Sequence, residues 1–581
     1  MGTLIGVIVA ATLVWQWHHS FAMPFYDDLF DRLRFYRDKS SLDVFLGYLV
    51  SPHNEHRIMT TRLLAIADER FFSGREHTQV IVTNLLQCLS AYIAYRFVFL
   101  AELGRDLHAS RRLFVFMSIL LLFINANVFY TLIVPFQVAH AIMAFLVIVA
   151  ATLMSRAASA EMSVAEQARL LLGLVALGIV GTFTLGNAPV VLIAAAATAV
   201  VLRANLWLIV VIGLLAVAHT VLILATTNAV VGTVFNAVAI LKFALIYWGA
   251  PFLRFDAWPA SYVSWPASGP LAVYAAGAMG AVVLATAVGF GLLRLFKPGF
   301  GGRLGIFGFT VLVAVVVTGI AAAHSRADFG ILEAANKKYA SFAALGWLGV
   351  LAVYTGIARQ RWTSPSQRET PVFALLLAVL LPLSIAGYTR ETRIWQKMID
   401  RNWEASLALF LHVNDRNHLH DVYTDESEIG KYVDFIEPRG RGIFSYFPFR
   451  WGDDAKPLLA VRLPTECRGV VERLDPIPAQ DLTNVFPSPG TPMSTAGWAW
   501  MAQDHAPPET VIAVDARDRI VGVARTTRSA SNAEEWLGQK IDQDIGWFGF
   551  VRMSDAPPVS FIALSSDRAH FCVLGHLGDA R

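Results

Sequence analysis

Eleven apolar stretches, most of about 20 residues, constrain the fold of this chain more than any other feature. A helix that crosses the hydrocarbon core of a bilayer needs about 20 mostly apolar residues. Only 16% of the 581 residues are charged, which is typical of a polytopic membrane protein. Helical spans are therefore predicted near residues 3–22, 79–101, 113–133, 136–154, 168–183, 188–202, 206–226, 270–294, 305–323, 340–358 and 371–388.

Composition also limits the partners and the chemistry. The net charge is only +3, and no basic run is present, so nothing indicates nucleic-acid binding. Three cysteines exclude a disulfide scaffold and a Cys-rich metal module. Two further apolar stretches, 29–50 and 233–253, contain charges or Pro and Gly. They are predicted to be helices that lie along the membrane interface.

Basic residues in alternate loops predict the orientation of the chain. They place one set of loops and the N-terminus in the cytoplasm, and this set contains Arg105, Arg111, Arg112, Arg156, Arg169, Arg203, Arg294, Lys297, Arg303, Arg359, Arg361 and Arg368. With eleven spans, everything after residue 389 then lies outside the cytoplasm.

The C-terminal third differs in composition from the membrane domain of residues 1–390. Residues 391–489 predict a mixed α/β segment that begins with a helix at 391–412. Short alternating runs, such as Val511–Val514 and Arg519–Val523, predict a β-sandwich-like domain over 490–581. Cys467 and Cys572 fall in this extracytoplasmic part, where a disulfide between them is allowed.

Adjacent acids open the first outer loop, which is predicted over residues 23–78. Asp27 and Asp28 follow the first span directly. Asp28 could be the N-cap of a helix at 29–37, which would explain one of the two acids. Two carboxylates side by side repel each other and are costly beside lipid, so we expect at least one to be functional.

A second polar run in the same loop is His53-Asn54-Glu55-His56-Arg57. Pro52 predicts the start of a helix on which the two histidines and Arg57 share a face. The order of the residues excludes the zinc-protease motifs. A hard cation such as Mg²⁺ or Mn²⁺, held by Asp27, Asp28 and Glu55, is one alternative, and a solvated loop helix is another.

The remaining cations outside the cytoplasmic set also call for an explanation. Arg62 is predicted to pair with a carboxylate or to contact phosphate, and Arg32 to Lys39 are predicted to contact anionic headgroups. Arg326, Lys337 and Lys338, with Tyr339, flank the outer loop between the ninth and tenth spans. They either bind phosphate or form local ion pairs, Arg326–Asp328 or Glu333–Lys337.

Taken together, these residues resemble the GT-C superfamily of integral membrane glycosyltransferases. The resemblance covers about residues 1–390 and rests on the paired acids, the interfacial helix after them and the number of spans. The segment from Arg326 to Tyr339 is similar to a stretch in which relatives often carry Arg-Tyr, whereas this chain has Lys-Tyr. The tail, from Ala496–Trp500 to Gly546–Phe550, resembles sandwich domains that accompany such enzymes.

The resemblance implies an enzyme of the bacterial inner membrane with a periplasmic C-terminal domain. It would move a sugar from a polyprenyl-phosphate donor to a cell-envelope glycan or lipid, usually with inversion. Asp28 or Asp27 would be the base, with Asp28 slightly preferred. The phosphate would be bound by cations, and the sugar by His53, Glu55 and His56; the cations are Arg57, Arg326, Lys337 and Lys338.

Other functions compete with this interpretation. A lipid or polysaccharide transporter or flippase would favour a charged path across the membrane and two pseudo-symmetric halves, and neither is evident in the sequence. A membrane acyltransferase could use His53 or His56, but the paired acids would then be unexplained. A non-catalytic scaffold for the β-rich tail is the remaining alternative.

Overall fold

The computed structural model describes residues 2–19, 21–24, 27–38, 41–53, 56–104, 108–158, 162–226, 236–250, 270–361, 370–486, 490–528, 544–553, 559–567 and 569–576. The chain divides into two compact units. The helical unit contains Met1–His18, Ser41–Leu64 and Thr78–Arg393, and the mixed unit contains His19–Ser40, Ala65–His77 and Ile394–Arg581.

Most of the described chain is helical. The α-helices are α1 (Gly2–His18), α2 (Asp27–Asp38), α3 (Leu42–Val50), α4 (Met59–Phe71), α5 (His77–Ile93), α6 (Leu100–Leu103), α7 (Ala109–Phe123), α8 (Phe129–Ile133), α9 (Val138–Ala157), α10 (Val164–Thr182), α11 (Pro189–Val201), α12 (Leu206–Thr226), α13 (Ala237–Gly249), α14 (Pro270–Phe296), α15 (Gly302–Arg326), α16 (Ala340–Arg361), α17 (Thr370–Phe410), α18 (Arg416–Val422), α19 (Glu426–Ile436) and α20 (Lys456–Ala460). A π-helical segment, Ala94–Phe99, joins α5 to α6.

Seven helices in the described part of the chain are long and apolar enough to cross a membrane. They are His77–Leu103, Pro135–Ala157, Val164–Thr182, Leu206–Ala225, Ala272–Phe296, Gly302–Phe329 and Lys337–Arg361. Each matches a predicted span, so the structure has seven candidate membrane-spanning helices, as expected of a multi-pass membrane protein. The count of eleven spans is not confirmed. Thr3–Gln16 and Pro189–Val201 are shorter apolar helices, and the predicted span at 113–133 is divided between α7 and α8.

Glycines let neighbouring helices of this unit approach backbone to backbone. A Cβ atom on Gly249 of α13 would overlap the carbonyl of Ala276, and one on Gly280 of α14 would overlap the carbonyl of Leu245. Gly308 and Gly349 make the same kind of contact between α15 and α16. Small residues at such crossings are typical of membrane helices, whose association depends on close packing.

Polar contacts join several of the loops that were predicted to be cytoplasmic. Arg359 and Arg303 both pair with Glu102, at 3.2 and 3.8 Å. Arg203 donates a hydrogen bond to the carbonyl of Leu295. These residues follow or precede different spans, so this end of the helical unit gathers the basic loops as the charge pattern predicts.

Eight strands of the mixed unit form one curled sheet. They are β3 (Leu463–Pro464), β4 (Cys467–Pro476), β5 (Thr491–Met501), β6 (Thr510–Val514), β7 (Ile520–Arg528), β8 (Gly546–Met553), β9 (Ser560–Leu564) and β10 (His570–His576). The order in the sheet is β3-β10-β9-β6-β7-β8-β5-β4, and only the β3–β10 pair is parallel. The first strand of this sheet, β3, begins at Leu463, so the sheet starts before residue 490, the predicted start of the β-rich domain.

A disulfide between Cys467 and Cys572 connects the two ends of this sheet. Cys467 starts β4 at one edge, whereas Cys572 lies in β10, next to the opposite edge. The predicted strands are present, but they do not form two separate sheets, because antiparallel pairing runs without interruption from β10 to β4. The core inside the curl includes Trp547 and Phe561.

Candidate functional site

The segment after α3 forms a β-hairpin, so the predicted helix is wrong. Strands β1 (Pro52–His53) and β2 (His56–Arg57) pair antiparallel, with His53 opposite His56. Ser51 is extended, at φ −63° and ψ 147°. A residue before proline is pushed out of the helical region by the proline ring, so the chain leaves α3 extended. The two histidines are therefore cross-strand neighbours rather than neighbours on a helix face.

The hairpin packs against other connections of the helical unit. The ring centroid of His53 lies 5.3 Å from that of Phe136, just before α9. The backbone N–H of Gly186 donates a hydrogen bond to Nδ1 of His56 over 3.1 Å. Since Nδ1 is the acceptor, the neutral His56 ring carries its proton on Nε2.

Arg62 is buried and bonds to backbone carbonyl groups, so the structure does not favour its predicted contact with phosphate. Its side chain is fully buried in α4 and donates to the carbonyl oxygens of Tyr48 and Ser51, at 2.5 and 2.6 Å. Its guanidinium also lies 4.6 Å from the ring centroid of Tyr48. These bonds satisfy carbonyls at the C-terminal end of α3. Arg57 remains half-buried and donates to the carbonyl of Val50 over 3.3 Å.

Lys337 belongs to an ion cluster around Glu391 of α17. The Glu391 carboxylate pairs with the Lys337 ammonium and, at 2.8 Å, with the guanidinium of Arg390. Only 2% of the Glu391 side chain is exposed. The Glu333–Lys337 pair considered from the sequence is wrong, because Glu391 takes that place. Two cations, Lys337 and Arg390, therefore share one buried carboxylate.

Lys338 and Tyr339 extend this cluster. Lys338 pairs with Glu333 at 2.7 Å, and its ammonium lies 5.0 Å from the ring centroid of Tyr339. The ring of Tyr339 lies 5.1 Å from that of Tyr247 in α13. Arg326 ends α15 and is partly buried.

A small cavity of about 20 Å³ lies beside these residues. Its polar lining combines two cations, one carboxylate, hydroxyls and amides, and all of these except the carboxylate are groups that bind phosphate oxygens. The lining residues are Asn127, Tyr247, Ala250, Ala334, Ala335, Asn336, Lys337, Tyr339, Ala340, Arg390 and Glu391.

His140, in the first turn of α9, links the hairpin to the Lys338 segment. It lies within electrostatic range of both His56 and Lys338. Its Nδ1 atom is buried and has no hydrogen-bond partner among the described residues. A buried ring nitrogen without a partner is unusual, and it offers one polar contact to a ligand.

The paired acids belong to the mixed unit, where their environments differ. Both lie in the first turn of α2, whose positive end favours them. Asp27 is exposed, whereas Asp28 is 5% exposed and its Oδ1 lies 3.6 Å from Nε of Arg32. Asp28 is thus an ion-pair partner within its own helix, and Asp27 is the acid that a substrate could reach.

Arg32 is buried among carboxylates, so its predicted contact with lipid headgroups is wrong. Only 2% of its side chain is exposed. Besides Asp28, it lies 2.5 Å from Glu76, 3.5 Å from Glu69 and 4.0 Å from Asp68. The helix α2 is amphipathic, as the sequence indicates, but its Arg32 side chain faces buried acids of the mixed unit rather than lipid headgroups.

The cluster around Arg32 contains more acids than its two arginines can neutralise. Arg441 pairs with Glu69. Burial raises the pKa of Glu76 well above its ordinary value, and the negative charge of Asp28 raises it further, against the attraction of Arg32. Burial among other acids therefore favours the protonated form of Glu76 more than it would for an exposed glutamate.

The predicted divalent-cation site stays a prediction, but one of its three acids already has a cationic partner. Asp28 is buried against the guanidinium of Arg32, and a second cation there would be repelled. Glu55 lies outside the described residues. Among the described residues, a group with metal-compatible spacing consists of Asp504, Asp567 and His570, in which the imidazole already pairs with Asp504 at 3.2 Å.

Sequence reasoning missed three residues of the Lys337 region. Arg390 and Glu391 follow the apolar stretch at 371–388 directly, so their place just beyond a predicted span was an available signal. His140 lies inside a predicted span, and a lone histidine in such a stretch gave no reason to connect it with His56.

Comparison with protein families, curated proteins and solved structures finds no match to this chain.

Proposed function

We propose that this protein is a membrane glycosyltransferase that takes its sugar from a polyprenyl-phosphate donor. The observation that carries the proposal is the pair of cations held by Glu391, beside a cavity at the ends of several apolar helices. A lipid-linked phosphate would need such cations next to apolar helices. The GT-C-like architecture, including the eleven spans, is part of the proposal.

The donor phosphate is assigned to Lys337 and Arg390, with Lys338 and Tyr339 beside them. When the bond between the sugar and the phosphate breaks, negative charge develops on the departing phosphate, and fixed cations stabilise it. Glu391 holds two of these cations in place. His53, His56 and His140 are assigned to the sugar hydroxyls, with the Nδ1 atom of His140 as an acceptor.

The catalytic base is assigned to Asp27. In an inverting transfer a carboxylate takes the proton of the acceptor hydroxyl while that oxygen attacks the anomeric carbon and polyprenyl phosphate leaves. Asp27 is given this role because it is the exposed acid of the pair. Asp28 was slightly preferred from the sequence, but its carboxylate is buried against Arg32. Its role here is to position α2. No step needs a metal ion.

The acceptor is a cell-envelope glycan or lipid, and the reaction is assigned to the periplasmic face of a bacterial inner membrane. Two observations favour this side. The disulfide between Cys467 and Cys572 suits an oxidising compartment. The basic loops gathered around Glu102 suit the cytoplasmic end of the helical unit.

The test is an assay of the purified protein with a panel of polyprenyl-phosphate sugars. We expect one donor to bind and to lose its sugar, to an acceptor or slowly to water. Lys337→Met should weaken donor binding about 10- to 150-fold, the value of one charge-assisted contact. Arg359→Met is the matched control, because it removes a cation from the opposite end of α16.

Two results would count against the proposal. One is equal donor binding in the Lys337→Met and Arg359→Met proteins. The other is movement of intact donor lipid between the leaflets of vesicles with no sugar released, which is the behaviour of a flippase.

A further inference from the structure

A second cavity, of about 70 Å³, lies within the mixed unit and is lined by three arginines. Among the described residues that line it, one, Glu509, carries a carboxylate. The complete lining is Arg75, Trp403, Tyr446, Phe447, Pro448, Phe449, Arg462, Glu509, Thr510, Arg525, Leu564 and Ser565. Three guanidinium groups around one carboxylate give this cavity a positive potential.

Arg525 of β7 has an unusual environment for an arginine. Its guanidinium lies 3.5 Å from the ring centroid of Trp403, and its buried Nη1 has no hydrogen-bond partner among the described residues. No carboxylate of the described chain lies within ion-pair distance of it. By contrast Arg528, on the same strand, donates two hydrogen bonds to Glu404, at 2.6 and 2.8 Å.

The nearest acids do not neutralise Arg525. Burial raises the pKa of Asp400 to about 7, so this carboxyl group is only partly ionised at neutral pH. Glu509 and Asp400 both attract Arg525, but burial outweighs them and lowers the pKa of Arg525. The guanidinium is thus held in a poorly solvated place without a full counter-charge, which is costly for a charged group.

Arg75 repeats this arrangement on another wall of the cavity. Its guanidinium lies 4.4 Å from the ring centroid of Tyr446, and its Nε donates to Oγ of Ser445 over 2.8 Å. It too has no carboxylate within ion-pair distance among the described residues. Arg462, the third cation, is 9% exposed. Stacking on aromatic rings fixes the planar groups and leaves donors for a planar or tetrahedral anion.

We propose that this cavity binds the carboxylate or phosphate group of an acidic saccharide. The guanidinium of Arg525 would donate hydrogen bonds to the anion, and Arg75, whose Nε and Nη2 already donate to Ser445, would add its remaining N–H groups and its charge. The apolar rings of Phe447 and Phe449 would pack against the C–H face of a sugar, as aromatic walls do in ligand sites with few polar groups. This binding does not depend on the proposed transferase reaction.

The experiment measures equilibrium binding to the full-length protein in detergent. Tryptophan fluorescence and calorimetry are the readouts, and no sugar transfer takes place. The probes are glucuronate, glucose 1-phosphate, glucose and inorganic phosphate. We expect one of the two charged sugars to bind more tightly than both glucose and inorganic phosphate. Arg525→Gln and Arg75→Gln should each weaken that binding by about 10-fold or more.

The control variant is Arg519→Gln, which removes an arginine that is already paired with Asp515 at 2.8 Å. It should bind the charged sugar as the wild type does. The proposal is overturned if no charged sugar binds, if inorganic phosphate binds equally well, or if both cavity variants bind as tightly as Arg519→Gln. Since no sugar transfer is measured, these outcomes are separate from failure of the transferase assay.

Discussion

The carboxylate of Asp28 lies 3.6 Å from Nε of Arg32, one turn further along α2. This ion pair separates the roles of two adjacent acids that the sequence alone could not distinguish. Asp28 is fixed inside the mixed unit, and Asp27, its neighbour at the start of the same helix, stays exposed. The assignment of Asp27 as base follows from this difference in exposure.

Replacing Arg32 should destabilise the protein strongly. In Arg32→Gln, the buried carboxylates around it would lose their main counter-charge, and breaking a buried ion pair typically costs about 3–5 kcal/mol. Arg37→Gln is the matched control, because Arg37 is exposed on the same helix. Thermal unfolding of the two purified variants in detergent checks this, and equal midpoints would refute the role given to Arg32.

The disulfide should be present in the protein isolated from cells. Of its three cysteines, only Cys88 should react with maleimide in denaturant without reductant, whereas all three should react after reduction. The variant Cys467→Ser, in which Cys572 loses its partner, should be less stable by about 2–5 kcal/mol. Labelling of all three cysteines without reductant would contradict both the bond and the extracytoplasmic assignment.

The stability of the mixed unit should fall as pH rises above neutral. Burial by itself lowers the pKa of His418, but hydrogen bonds to Asp415 and Glu404 outweigh burial and raise that pKa to about 9. Because the folded pKa is the higher one, the stabilisation is complete below about pH 6.5 and lost as pH rises through about 9. Its full size is roughly 3 kcal/mol.

Unfolding midpoints of the wild type and of His418→Gln between pH 6 and 10 measure this effect. The difference between the two proteins should be largest at pH 6 and should shrink toward pH 10. A difference that does not change with pH would show that His418 is not held as an imidazolium.

Arg62→Gln should reduce the amount of folded protein rather than donor affinity. Its hydrogen bonds go to carbonyl groups of Tyr48 and Ser51, and their loss leaves those carbonyls unsatisfied in a buried place. The folded fraction that survives should bind donor lipid like the wild type. Size-exclusion profiles and donor binding per folded molecule separate the two effects, and normal folding with weakened binding would restore Arg62 to the phosphate site.

The sequence predicted the long elements well because their signal is local. Seven of the predicted spans coincide with helices such as Pro135–Ala157, since an apolar run of that length has few other structures available. The strand around Val511–Val514 was also predicted, since alternation and turns are local too. The single curled sheet was not, because its order depends on pairing between distant strands such as β4 and β10.

The candidate site was predicted less completely for the same reason. The cations at Lys337 and Lys338 were recognised from their place in a loop, but their partners were not, since Glu391 lies more than 50 residues away in the chain. Arg32 was misread because an amphipathic helix looks the same whether it faces headgroups or buried acids. His53 and His56 were expected on a helix, but proline at position 52 favours an extended chain before it.

The central claim is that Asp27 is the base in transfer of a lipid-linked sugar, and the most direct measurement compares Asp27→Asn with Asp43→Asn. Asp43 is another exposed acid in the first turn of a neighbouring helix, α3. With the donor identified by the panel, Asp27→Asn should transfer sugar about 10²- to 10⁴-fold more slowly than wild type while binding donor equally well. Asp43→Asn should transfer at the wild-type rate. Wild-type transfer by Asp27→Asn would contradict the mechanism.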